Sequence, residues 1–151
     1  AMANETEREV YRAHREAQTR YTYFLLAAAG AAIALAVNQT QNSPLSCSQV
    51  PLAAAVLCWA LSFFFGCRHL GYVASTLLAN MELLRVESGR HSQVGEHPQM
   101  MAAASDGIRQ AIQSNSEHAN RLAHWQFRSL VGGGALYVAW HVVEMYMRTV
   151  R

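Results

Sequence analysis

The chain has no lysine. All twelve of its basic residues are arginine, set against ten acidic ones for a formal charge of +2, and they are scattered rather than clustered. That excludes the basic footprint of a nucleic-acid-binding domain, so no direct nucleic-acid binding is expected. Arginine's planar fork suits lipid or nucleotide phosphate, although an Ala- and Gly-rich chain also loses lysine through codon bias. Cysteine is scarce too. Cys47, Cys58 and Cys67 cannot all pair within one chain and form no CxxC site, which excludes a disulfide framework. No Ser-His-Asp set, phosphate-cradling glycine loop or paired-carboxylate motif is present, so no catalytic residues are assigned and an enzyme is not expected. Arg85 and His91 fit the loose R-x(4-6)-H spacing of HEPN ribonucleases, a match short enough to arise by accident among twelve arginines and seven histidines. The seven histidines show no i, i+4 pair or Cys/His set, so neither a metal nor a cofactor is expected.

What the chain does have is three long apolar runs, Tyr21 to Val37, Pro51 to Cys67 and Ser129 to Met147. The first two carry no ionisable side chain apart from Tyr and Cys, and each is about as long as a helix needs to cross hydrocarbon. With 151 residues, 52% of them hydrophobic, and a mean hydropathy of +0.02, the remainder must be strongly polar. The pattern predicts an all-α integral membrane protein: a transmembrane hairpin, a third C-terminal span, and a cytoplasmic helical pair between spans two and three. The expected segments are an amphipathic N-terminal helix over 2–20, the hairpin over 21–67, the cytoplasmic segment over 68–128, and the third span with its tail over 129–151.

Orientation follows from the arginines. Arg8, Arg12, Arg15 and Arg20 precede the first run and Arg68 follows the second, whereas the loop Asn38 to Val50 carries no charge. The positive-inside rule then puts the N-terminus in the cytoplasm. A cleaved signal peptide fits less well, because the flank before the first run is long and rich in Glu and no clean A-x-A site follows. Ala1 ahead of Met2 reads as a remnant of tag removal.

Candidate helix-packing residues in the first span are Ala28, Ala32 and Ala36, with Gly30 and Ala34 on a second small-residue face. Such faces let helix backbones approach in lipid. Gly132, Gly133 and Gly134 stand near the start of the third span; each weakens a helix by roughly 1 kcal/mol in water, and they predict a close contact, a hinge or an unwound stretch lining a pore. His141 and Glu144, three apart on one face, are the candidate pore or ion path, because ionisable groups in a membrane are functional candidates by default. Glu144 also lies among Trp140, Tyr146 and Arg148, where side chains snorkel to the interface.

In the cytoplasmic segment, Leu70, Val73, Leu77, Met81 and Leu84 form a helical stripe that continues out of the second span to about Glu87. This stripe needs a partner, either the second cytoplasmic helix or a neighbouring subunit. Gly89, Gly95 and Pro98 break the pattern. A second helix is expected from Pro98 or Met101 to Phe127, with Ile108, Ile112, Ala119 and Leu122 on one face.

The basic N-terminal helix, the tight hairpin and the long helix leaving its second span resemble the SLATT-like and other small multi-span membrane effectors of bacterial antiphage defence. The resemblance covers Glu5 to about Glu87, and the third run departs from the two-span pattern. It implies a homo-oligomer in the bacterial inner membrane that forms a pore or disrupts the bilayer when a nucleotide signal or protein activator engages its cytoplasmic helices. Other classes open to this sequence are a non-catalytic subunit or scaffold of a larger membrane complex, and a small-ion or metal transporter using His141 and Glu144.

Overall fold

The computed structural model describes residues 2–41, 47–92, 94 and 97–150, with side chains from residue 9 onward except residue 11. Gly95, Arg151, Ala1 and the side chains of Arg8 and Tyr11 lie outside the described residues. The described elements are all helical: α1 (Met2–Thr40), a short 3-10 turn (Cys47–Gln49), α2 (Val50–Glu87) and α3 (Pro98–Thr149).

Helix α1 runs unbroken through Arg20, where a polar helix was expected to give way to the first span, and α2 ends at Glu87. The helix expected to stop at Phe127 does not stop there. It continues as α3 through Gly132, Gly133 and Gly134 to Thr149. Three glycines lower helix propensity, but packing against other helices overrides so weak a local preference. Two helical stretches, Arg12–Thr40 and Cys47–Glu87, are long and apolar enough to cross a membrane. The stretch of α3 with His141, Glu144 and the three glycines is not one of them, since those residues dilute its apolar content.

The chain packs as two compact units, Ala1–Cys67 with Ala123–Arg151, and Arg68–Leu122. In the first, the buried positions step by three, four or seven: Thr22, Leu25, Ala29 and Ala36 on α1, Leu52, Ala55, Trp59 and Ser62 on α2, and Gln126 with Gly133 on α3. A repeat of 3.5 residues is that of helices packed knobs-into-holes. Small side chains dominate these positions, which allows close backbone approach.

In the second unit α3 turns Ile108, Ile112, Ala119 and Leu122 inward, the face that the spacing predicts. On α2 the buried positions are Thr76 and Val86, with His69, Val73 and Leu83 half-buried on the same side. Within the single chain, α3 covers only part of the predicted stripe. Leu70 and Val73 are half-buried, whereas Leu77, Met81 and Leu84 are exposed. Polar contacts fix this rotation of α2: His69 Nδ1 donates to the Ala119 carbonyl at 2.8 Å, Tyr72 stacks on His118 with centroids 5.5 Å apart, and Arg109 donates to Glu87 Oε1 at 2.8 Å. Because a carbonyl only accepts, Nδ1 of His69 carries the hydrogen.

Helix α2 closes with Gly89 at φ 68°. The Gly89 N–H donates to Val86 O and the Arg90 N–H to Arg85 O, both at 3.0 Å, the bond pair of a Schellman cap. A side chain in this left-handed conformation costs about 1 to 2 kcal/mol. We expect Gly89→Ala to lower stability by about that amount, and Gly107→Ala, at a helical site where a Cβ meets nothing within 4 Å, to raise it by up to about 1 kcal/mol. Thermal unfolding in detergent checks the pair; equal responses would mean that the cap does not matter.

Candidate functional site

The most unusual chemistry in the first unit is a buried amide. Gln126 of α3 is 1% exposed, and neither its Oε1 nor its Nε2 makes a hydrogen bond. Its backbone carbonyl accepts a bond of 2.8 Å from the Ser62 hydroxyl, itself fully buried on α2. Gly66, one turn further along α2, makes room for the amide. A Cβ there would stand 2.5 Å from Gln126 Nε2 and 2.7 Å from Leu26 Cδ2 of α1. Thr22 is also buried, its hydroxyl bonded to the Gln18 carbonyl within its own helix at 3.1 Å. An amide buried without partners costs about 1 to 3 kcal/mol, and more in an apolar surround that cannot solvate it.

A second contact lies two helical turns along α3. A Cβ on Gly133 would stand 2.5 Å from Trp59 Nε1 and 3.0 Å from the Ala55 carbonyl, whereas Gly132 and Gly134 face open space. Only the middle glycine of the three is thus a packing point. Trp59 joins Ala36, Leu52 and Ala55 in the apolar cluster, with Leu136, Tyr137 and Trp140 against it. The Tyr137 ring lies 5.7 Å from that of Trp59 and 5.8 Å from that of Trp140. Its hydroxyl donates to Gln39 Oε1 of α1 at 2.8 Å.

Of the small residues expected to pack α1, Ala36 is buried, Ala28 and Ala32 are half-buried, Gly30 faces open space and Ala34 is exposed. Ala29, fully buried, had not been singled out. Sequence reasoning also missed Gln126. The available signal was its distance of seven residues from both Ala119 and Gly133, which puts an amide on a seam of small side chains.

Among the described residues no hydrogen bond or ion pair joins His141 to Glu144. His141 is exposed and stacks on Tyr137 with centroids 6.5 Å apart and planes at 10°. Glu144 accepts from Arg148 Nε at 3.3 Å, one turn along its own helix. Since Arg148 is 79% exposed, the pair is worth no more than about 0.5 kcal/mol. Glu144→Gln should shift the unfolding midpoint by no more than that energy implies; a larger loss would reveal a further partner for this carboxylate.

In the second unit, Glu82, Arg85, Arg90, His91 and Ser92 line an open cleft of about 410 Å³ beside the α2 cap. Glu82 is shared there, accepting from Arg85 at 2.7 Å and lying 3.9 Å from His91 Nε2. Arg90 Nε donates to Ser88 Oγ at 3.0 Å. Among the described residues no three His, Cys, Asp or Glu side chains are grouped to hold a metal ion. No protein-family model, curated protein or solved structure matches the chain.

Proposed function

We propose that the chain is an integral membrane protein that assembles with copies of itself and acts as an effector, forming a pore or disrupting the bilayer when its polar helical arm senses a signal. The observation that supports this best is the outward apolar surface of α1 and α2. Of the most apolar window in each, only 22% and 28% is buried inside the chain. Phe24, Leu35, Leu57, Leu61 and Phe64 are all at least half exposed. A core helix of a water-soluble protein would hide such side chains; in hydrocarbon they need no cover.

The close contact of Gly133 with Trp59 and Ala55 supports a third crossing, because it sets the apolar run of α3 against that of α2. The arginine distribution supports a cytoplasmic N-terminus. On this reading the membrane is a bacterial inner membrane and the setting antiphage defence. Three helices cannot enclose an aqueous channel, so conduction requires several protomers. The arm has cationic Arg85 and Arg90 at its cleft, suited to the phosphates of a nucleotide signal, although a protein activator would serve the same logic. No cofactor and no catalytic step enter this scheme.

Induced expression in bacteria should collapse the membrane potential reported by a voltage-sensitive dye, and the purified protein should run as one defined multimer in detergent. A stable monomer that leaves the potential unchanged would overturn the proposal.

A further inference from the structure

We infer that α2 carries a second, self-complementary seam through which two copies of the chain pair in parallel. Phe63, Leu70, Leu77 and Leu84 recur at intervals of seven, and Ala60, Cys67, Ala74 and Met81 fall between them at the alternating steps of three and four. These are eight consecutive apolar or small positions in a heptad register, the pattern of a coiled-coil face. The seam is distinct from the one that packs within the chain, which runs one residue earlier through Ser62, His69, Thr76 and Leu83. One residue is about 100° around a helix, so α2 presents two neighbouring faces. The first is occupied by its own chain. On the second, Leu70 is half-buried and the other seven residues are exposed, with Leu77 at 47%, Met81 at 52% and Leu84 at 65%.

Neither lipid alone nor a water-soluble partner alone can cover this face over its whole length. The helix has 38 residues, or about 57 Å of rise, against a hydrocarbon layer of about 30 Å. Leu84 lies about 25 Å of helix rise past Cys67, in a stretch with Asn80, Glu82, Arg85 and Glu87 that belongs in water. Lipid would cover Phe63 but not Leu84, and a soluble helix would cover Leu84 but not Phe63. A single occupant of the whole seam must be a helix that is apolar over its first half, polar over its second, and heptad-spaced throughout. A second copy of α2 meets all three conditions when it lies parallel and in register, which a shared membrane orientation imposes. In the bilayer half of the seam, Ala60 and Cys67 on either side of Phe63 permit close approach.

This inference rests on the reading of the chain as a membrane-spanning oligomer and names the surface that pairs. The test uses the full-length protein in lipid vesicles, in a background with Cys47, Cys58 and Cys67 changed to Ser, followed by mild oxidation of single-cysteine variants. Ala74→Cys, at a core position of the seam, should give a disulfide-linked dimer as its major product, as should native Cys67 retained alone. Ser75→Cys, exposed but one residue off the seam, should remain mostly monomeric. Equal cross-linking at 74 and 75, or none at 74 and 67, would overturn the proposal. As a second arm, Leu77→Asn with Leu84→Asn changes only side chains already exposed in the single chain. It should leave helicity by circular dichroism unchanged and shift the detergent-solubilised protein to a smaller species; an unchanged oligomer would equally count against the seam. Cross-linking at 74 in protein that does not depolarise cells would leave the seam standing and sink the pore reading alone.

Discussion

Gly133→Ala should lower stability by up to about 2 kcal/mol, the overpacking cost less the gain in helix propensity, while the same change at Gly132 or Gly134 should raise it by up to about 1 kcal/mol. The three positions are chemically identical in the sequence, yet a methyl group meets different surroundings at each. At 133 it would enter the indole of Trp59 at 2.5 Å and come within 3.0 Å of the Ala55 backbone carbonyl. Neither a buried ring nor a helix backbone yields cheaply, and overpacking of this kind costs about 1 to 3 kcal/mol. At 132 and 134 a Cβ meets nothing within 4 Å, so only the gain in helix propensity remains. Chemical or thermal unfolding of the three variants in one detergent measures the contrast. Trp59→Leu should relieve the Gly133→Ala defect, so that the double variant loses less than the two single losses added together. Three equal responses, or no coupling to Trp59, would show that α2 and α3 do not approach at this point.

Gln126→Met should raise stability by about 1 to 3 kcal/mol. Methionine keeps the unbranched length of glutamine and so still fits beside Gly66, but it removes two amide atoms that are buried and unpaired. Replacing an unsatisfied polar group by an apolar one of similar shape recovers the desolvation penalty. Gln126→Ala lacks that volume and should instead destabilise by leaving a cavity. If the amide serves a conducting state, the Met variant will fold and assemble yet depolarise cells less than the parent chain. A Met variant no more stable than the parent would mean that the amide has a partner, and undiminished depolarisation would show that it has no part in the proposed pore.

Much of the helical layout is legible from hydropathy and turn residues. Glycine in the left-handed conformation at 89, Glu87 as the end of α2 and Pro98 as the start of α3 follow from local chemistry, because caps and breakers act within a turn of chain. The inward face of Ile108, Ile112, Ala119 and Leu122 follows from periodicity. Other choices were not legible. The spacing of Leu77, Met81 and Leu84 calls for a partner without saying whether α3 or another subunit supplies it, and α3 packs beside them on Thr76 and Val86. What decides is how two helices rotate to satisfy His69, Tyr72 and Glu87 at once, and those partners are 22 to 50 residues away along the chain.

The sequence by itself marked three apolar runs, the first two of which lie in helical stretches long and apolar enough to cross a membrane, and it placed the end of α2 at Glu87. Length and transfer free energy are properties of a segment alone. Only tertiary structure decided that Gly133 rather than its neighbours is the contact, that Ala29 rather than Ala34 faces inward, and that Gln126 is sealed among three helices without a partner. Those outcomes depend on which side of each helix meets another, and a rotation of 100° between consecutive residues makes neighbours in sequence opposites in space.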